Sequence, residues 1–160
     1  MVRRQTICRI KFPAGKIEFA KDVAQFANAS GGILVVGATN KKKPGGVEVL
    51  DKLHALDKDP GITSLPAFMQ SARDTIDAHT YPHIEGVEVS SSTTRKGEVM
   101  YVYVPSQLPK RKPFIVSGEN VGGVYRNTFF SIPQRRRDGN LSTSPKEIHH
   151  LLAGKMRNLG

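Results

Sequence analysis

The chain has 160 residues and a mass of 17.6 kDa, which predicts a single domain over residues 1–160 with its core at about 5–155. Its 24 Lys and Arg against 14 Asp and Glu give a formal net charge of +10 and a pI near 9.9. This charge favours a polyanionic partner, DNA or RNA first, although a basic protein without such a partner also fits.

Cysteine content and hydropathy exclude several other classes. The single cysteine, Cys8, rules out an intramolecular disulfide, and no Cys/His spacing resembles a zinc site. The start of the chain lacks the apolar segment of a signal peptide, and the longest apolar run, Ile33 to Val36, is far too short to cross a bilayer. We therefore expect a cytoplasmic protein that has no membrane partner.

The first half of the chain reads as strand, helix, strand and two further helices. Residues 5–10 suit a short strand, and apolar residues at helical spacing predict a helix from Lys16 to Asn28. Gly31 and Gly32 end it, and the unbroken apolar run up to about Ala38 predicts a strand buried on both faces. Residues 41–46 read as a loop and 49–56 as a short helix. Ser64 and Pro66 then open a helix that the stretch His79-Thr-Tyr-Pro82 ends.

The second half is richer in strands. Residues 84–89 and 99–104 predict an antiparallel hairpin joined by a polar turn over 90–97. Short strands follow at 114–116 and 122–127, then a charged loop over 135–140. Ser144, Pro145 and Glu147 form a capping signature for a last helix that runs to about Met156.

Five segments, in this order, resemble the Schlafen-type AlbA_2 domain family. They are Phe26-Ala-Asn-Ala-Ser-Gly-Gly-Ile-Leu-Val-Val-Gly37, Val99-Met-Tyr-Val-Tyr-Val-Pro105, Lys112-Pro-Phe114, Val124-Tyr-Arg126 and Ser144-Pro-Lys-Glu-Ile148. The resemblance implies an α+β fold with a mixed or antiparallel sheet and about three to four helices. It also implies association with nucleic acid and, in some members, metal-dependent cleavage of RNA.

The sequence departs from the pattern of the nuclease members of that family. Those members carry acidic residues in the first strand and after the strand that follows the Gly-Gly turn. Here the first region reads Ile7-Cys-Arg-Ile-Lys11, and Ala38, Thr39 and Asn40 follow Gly37. Because metal-dependent phosphodiester cleavage needs clustered carboxylates, this favours a non-catalytic domain with no metal or other cofactor.

The predicted nucleic-acid-binding residues are basic and lie mostly in short runs. Such runs neutralise phosphates and supply affinity without sequence readout, although a single run is more often a solvated surface. The predicted set comprises Lys41, Lys42, Lys43, Lys110, Arg111, Lys112, Arg126, Arg135, Arg136 and Arg137. Arg3 and Arg4 form a further basic pair.

Aromatic and glycine-rich segments offer weaker candidates. Tyr125 beside Arg126 suits base stacking or internal packing about equally, whereas Tyr101 and Tyr103 share one strand face and favour packing. The turn from Asn28 to Gly32 follows a helix, the reverse of a phosphate-binding loop, so we expect a helix cap there rather than an anion site.

Two alternatives to a non-catalytic nucleic-acid-binding domain stay open. One is a divergent nuclease that uses carboxylates outside the family positions, namely Glu18, Asp22, Glu85 or Glu88. Glu18 and Asp22 lie four residues apart on one helix, although pairing with Lys16 and Lys21 is commoner. The other is a regulatory module that forms a homodimer through an edge strand near residues 99–104.

Overall fold

A computed structural model describes residues 2–5, 13–45, 48–121, 124–136, 139–142, 148–150 and 153. Among these residues, helix α1 spans Pro13–Asn28, helix α2 spans Leu65–His79, residues 148–150 and 153 are also helical, and 3₁₀ turns lie at Leu56–Lys58 and Pro109–Arg111. The strands are β1 Val2–Gln5, β2 Gly32–Val36, β3 Ala38–Lys42, β4 Glu48–Leu53, β5 Thr80–Tyr81, β6 Glu88–Thr94, β7 Gly97–Val104, β8 Ile115–Val121, β9 Val124–Ser131, β10 Pro133–Arg136 and β11 Gly139–Ser142.

The largest sheet has four strands in the order β1-β2-β7-β6. β1 pairs with β2 in parallel, whereas β2–β7 and β7–β6 are antiparallel, so the sheet is mixed. A three-stranded sheet, β5-β8-β9, and the hairpins β3-β4 and β10-β11 complete the strand pairing. The predicted α+β fold class with a mixed or antiparallel sheet is confirmed.

The hydrophobic core forms between α1 and one face of this sheet. Ile17, Phe19 and Val23 on α1 are fully buried, as are Leu34 on β2 and Met100 on β7. Successive strand residues point to opposite faces, and on this inner face Val36, Val102 and Val104 are buried as well. α2 adds Phe68, Ala72 and Ile76 to the same core.

Helix α2 follows its sequence prediction closely. Ser64 is the N-cap, and its Oγ accepts a hydrogen bond from the Ala67 backbone N–H at 3.3 Å. Pro66 lies in the first turn, where its missing N–H removes no hydrogen bond of the helix. The helix ends at His79, within the stretch of residues 79–82 that was predicted to end it.

Several predicted elements are wrong, and each error lies where pairing between strands decides the structure. The predicted helix over 49–56 is strand β4 followed by a 3₁₀ turn, and Lys41 and Lys42 belong to β3 rather than to a loop. The β6-β7 hairpin begins at Glu88 instead of residue 84, and its turn is only Arg95 and Lys96. Within the predicted loop over 135–140, residues 135–136 and 139–140 lie in the paired strands β10 and β11.

Two predictions about the central strands are also wrong. β2 is buried on one face only, because Ile33 is 36% exposed and Val35 is half-buried. β7 lies between β2 and β6, so it is a central strand and its edges are unavailable for pairing across a dimer. Of the predicted strand over 5–10, only Gln5 is described, as the last residue of β1, and residues 6–10 lie outside the described residues. Of the predicted last helix, residues 148–150 and 153 are described and helical.

Candidate nucleic-acid interface

Asn28, the last residue of α1, ties the helix to two distant segments. Its Oδ1 accepts a hydrogen bond from the Phe114 N–H at 2.7 Å, and its Nδ2 donates to the carbonyl oxygens of Phe114 and Pro133 at 3.0 and 2.9 Å. The Phe-Ala-Asn and Lys-Pro-Phe segments are thus joined directly. The asparagine amide is used inside the fold, which indicates a structural role.

The turn after Asn28 is a helix cap, as expected. The Gly31 N–H donates to the Phe26 carbonyl at 2.9 Å, and the Ala29 N–H donates to the Gln25 carbonyl at 3.1 Å. Gly31 has a φ of +81°, and a Cβ built on it would lie 2.5 Å from the Val104 carbonyl oxygen. Only glycine lets the turn pack this closely against the end of β7.

The first predicted basic run lies on the β3-β4 hairpin. Lys41 is in β3 opposite Val49, Lys42 is opposite Glu48, and Lys43 follows the strand. The side chains of Lys41 and Lys43 are exposed. These two lysines are therefore accessible to a ligand in solution.

In the second run, two of the three cations make contacts within the fold. Arg111 forms an ion pair with Glu85, and its Nη2 donates to the His83 carbonyl at 3.0 Å. The Lys112 Nζ donates to the Ala29 carbonyl just after α1. Lys110, by contrast, is exposed in the 3₁₀ turn. Lys110 is thus the most accessible member of this run.

The remaining predicted cations fall on strands or outside the described residues. Arg126 lies in β9, where the register pairs it with Glu119. Arg135 and Arg136 lie in β10, in register with Asn140 and Gly139. Arg137 lies outside the described residues. The role of these four arginines in binding stays a prediction.

The two lysine-containing runs lie toward opposite ends of β2. Lys112 contacts Ala29, three residues before β2 begins, whereas β3 begins two residues after β2 ends. Five strand residues span roughly 16 Å. A polyanion that touches both runs must therefore be extended along the sheet.

Two features of the central sheet were not predicted from the sequence. Tyr103, expected to pack, is 41% exposed on the outer face, where it pairs with the exposed Ile33. Arg95 and Lys96 form an exposed basic turn between β6 and β7. Side chains on a strand alternate between buried and exposed faces, and this alternation along β7 could have predicted the exposure of Tyr103. A two-residue hairpin turn could likewise have predicted the exposure of Arg95 and Lys96.

The carboxylates considered for a nuclease are placed as follows. Glu18 forms a salt bridge with Lys21 at 3.6 Å, as the commoner alternative predicted, and Asp22 is only 2% exposed. Glu85 pairs with Arg111, and Glu88 is exposed on β6. Across the part of the chain that the structure describes, no three His, Cys, Asp or Glu side chains are grouped so that they could hold a metal ion.

Two histidines near the end of α2 differ in environment. Burial lowers the pKa of His79; the positive charge of Lys16 lowers it further, while a hydrogen bond to the Ser117 backbone acts in the opposite direction. The exposed His83 Nδ1 lies 3.2 Å from the Asp77 carboxylate. His79 is therefore biased toward its neutral form.

The family assignment rests on most of the chain. The model of the family described as Schlafen, AlbA_2 matches residues 6–128, and the protein belongs to this family. The resemblance expected from the sequence segments is thereby confirmed. No curated protein matches the chain.

A solved structure shares the fold. The N-terminal domain of a RecG-related protein from Nitrosomonas europaea superposes with a TM-score of 0.54 at 18% identity, over 79% of this chain and 76% of that one. The DIP2311 protein from Corynebacterium diphtheriae gives a TM-score of 0.47 at 15% identity, over 88% of this chain and 24% of that one. At such identities the first match shows the fold alone.

Helix length and hydropathy bear on whether the chain could enter a bilayer. Of the helices in the described ranges, none is long and apolar enough to cross a membrane.

Proposed function

We propose that this protein is a non-catalytic nucleic-acid-binding domain that holds DNA or RNA mainly through phosphates. The observation that carries the proposal is the charge of +10 combined with exposed lysines at both ends of the central sheet. Membership of the Schlafen AlbA_2 family agrees with it. So does the N. europaea neighbour, whose name relates it to an ATP-dependent DNA helicase.

Accessible lysines supply the affinity in this proposal. Lys41, Lys43 and Lys110 are exposed, and none of them makes an ion pair with a described carboxylate. Each phosphate that such a cation neutralises releases counterions, so binding must weaken as salt concentration rises. Phosphate contacts carry no base readout, so we expect little sequence preference.

The test is fluorescence anisotropy with labelled duplex DNA, single-stranded DNA and RNA of equal length. Between about 50 and about 200 mM salt, we expect log K to fall linearly with log salt concentration. Combined replacement of Lys41, Lys43 and Lys110 by alanine lowers the slope by about 0.9 for each duplex phosphate that the variant no longer neutralises. Binding without salt dependence, or no binding to any of the three ligands, overturns the proposal.

A matched control uses a lysine with an internal role. Lys58 is exposed, but its Nζ donates to the Lys96 carbonyl at 2.8 Å. Lys58→Ala removes one positive charge, as each of the three lysine replacements does by itself, and we expect the salt slope to stay unchanged. A reduction of slope in Lys58→Ala as large as that of a single replacement among Lys41, Lys43 and Lys110 would mean that net charge, rather than the named lysines, governs binding.

A further inference from the structure

The outer face of the four-stranded sheet carries an apolar and aromatic surface that the core does not use. Ile33 pairs with Tyr103 and Val35 pairs with Tyr101 across β2 and β7. Ile33 and Tyr103 are 36% and 41% exposed, whereas Val35 and Tyr101 are half-buried. An exposed tyrosine on a central strand can stack against a flat ring, and a chain of charge +10 attracts anions, so this face suits a ligand that has both flat rings and negative charge.

We propose that this face, centred on Tyr103 with Tyr101 beside it, stacks unpaired bases of single-stranded nucleic acid. The inference rests on the proposed function and adds to it the class of nucleic acid and the residues that meet the bases. Stacking on tyrosine tolerates any base, so it agrees with binding that reads little sequence.

Next to strand β6, Tyr103 is exposed and Tyr101 is half-buried. Ser90 lies opposite Tyr101 on β6, and its small side chain covers little of the adjacent ring. Toward the Gly97 end the outer face offers less accessible surface, because Val99 is only 7% exposed. The open part of the face is thus the end near Tyr103.

Spacing along β7 favours unpaired bases over a duplex. Two residues that share a strand face are roughly 7 Å apart, about twice the 3.4 Å spacing of stacked bases. Two bases that each stack on one tyrosine are therefore separated from each other. A duplex would have to break both stacking and pairing, whereas a single strand is already free to spread its bases.

Positive charge at the two ends of β7 supports binding of a nucleic-acid strand that runs along β7. Exposed Arg95 and Lys96 precede β7, and exposed Lys110 follows it in the second 3₁₀ turn. Eight strand residues span roughly 26 Å, so phosphates can meet cations at both ends while bases lie over the tyrosines. The cross-strand row that contains Ile33, Tyr103 and Glu88 includes one carboxylate among its described residues, that of Glu88.

The test compares single-stranded and duplex ligands of equal length for Tyr103→Ala, Tyr101→Ala and a control. The control is Tyr81→Ala, because Tyr81 is 76% exposed but lies in the β5-β8-β9 sheet. Tyr103→Ala should weaken single-strand binding about 5- to 150-fold while leaving duplex affinity and the salt slope unchanged. Tyr101→Ala should weaken it less, and Tyr81→Ala should not weaken it.

A second variant keeps the test valid if alanine perturbs folding. Tyr103→Phe retains a stacking ring and should retain single-strand affinity. The chain has four tyrosines and no tryptophan, so tyrosine emission reports directly on them. We expect a single strand to quench this emission in the unmodified protein and to quench it less in Tyr103→Phe.

The outcomes separate the two proposals. Suppose that the protein binds nucleic acid with the expected salt dependence, but that Tyr103→Ala weakens binding of duplex and single strand equally or leaves both unchanged. The proposed stacking face is then overturned, and the proposed function stands. If Tyr81→Ala has the larger effect, or if sedimentation shows a dimer that Tyr103→Ala dissociates, the stacking face is also overturned. Absence of all binding overturns both proposals.

Discussion

Asn28 and Phe114 lie 86 residues apart in the chain and exchange two hydrogen bonds, one in each direction. The asparagine amide thus pairs with the Phe114 backbone much as a neighbouring strand would. A third bond reaches the Pro133 carbonyl, so one side chain joins α1 to the start of β8 and to β10. This links two of the segments by which the family was recognised.

Replacing Asn28 should therefore destabilise the fold. Asn28→Ala leaves partly buried backbone groups of Phe114 and Pro133 without partners, and we expect a decrease of about 2–4 kcal/mol in the free energy of unfolding. Urea denaturation measures it, with the exposed Ser30→Ala in the adjacent turn as control. Equal midpoints for the two variants would contradict a structural role for Asn28.

Gly31 and Gly45 form a matched pair that separates the energetic cost of close packing from the cost of a left-handed backbone conformation. Both have positive φ, +81° and +94°, but a Cβ at Gly31 meets Val104, Pro105 and Ser106 atoms within 2.9 Å, whereas nothing lies within 4 Å of one at Gly45. Gly45→Ala should cost about 1–2 kcal/mol from conformation alone. Gly31→Ala should cost roughly 2 kcal/mol more because the end of β7 must move.

Thermal or urea unfolding of both glycine variants distinguishes these effects. A similar destabilisation of the two proteins would mean that the turn can shift away from β7. A destabilisation confined to Gly31→Ala would instead show that the contact with β7 dominates and that the left-handed conformation costs little.

Elements governed by local chemistry were predictable, and those governed by distant pairing were not. The cap at Ser64 and the apolar spacing of α2 are readable within a few residues. The apolar positions of β4 also match a helix, and only pairing with β3 makes them a strand. Ser90 to Ser92 look like turn residues, yet pairing with β7 holds them in β6.

The same reasoning applies to the candidate interface. The sequence shows that Lys110, Arg111 and Lys112 form a basic run, and it predicts that all three meet phosphate. It contains no local signal that Arg111 reaches Glu85 or that Lys112 reaches Ala29. The exposure of Tyr103 likewise depends on which face of β7 the helix α1 covers.

Adjacent residues Lys110 and Arg111 should therefore separate binding from stability. Lys110→Ala should reduce the salt slope by about 0.9 on duplex DNA, or about 0.7 on a single strand, with unfolding unchanged. Arg111→Ala removes the contacts with Glu85 and His83 and should cost about 0.5–1.5 kcal/mol of stability with little effect on the slope. Anisotropy titrations and urea denaturation of both variants check this; the reverse assignment would contradict it.

His79 should make stability depend on pH. Its pKa is lowered in the folded protein, so the unfolded chain binds a proton first as the pH falls below the ordinary value of 6.5. The free energy of unfolding should therefore decrease as the pH falls from 6.5 to the lowered pKa. Below that pKa, His79 causes no further change, because it is protonated in both states. His79→Gln should flatten this part of the profile, measured as the urea midpoint against pH; an unchanged profile in this variant would contradict the role of His79.

Glu88 provides the last test, because its charge lies beside the proposed stacking face. The register pairs Glu88 with Tyr103, so its carboxylate repels any phosphate that approaches this row. Glu88→Gln keeps the size of the side chain and should raise single-strand affinity about 1.5- to 5-fold, in keeping with the strength of exposed charge pairs. Asp74→Asn changes the net charge equally on the exposed surface of α2 and is the control. Equal gains in the two variants would indicate a general charge effect, whereas a gain specific to Glu88→Gln, reduced by added salt, would place phosphate beside Tyr103.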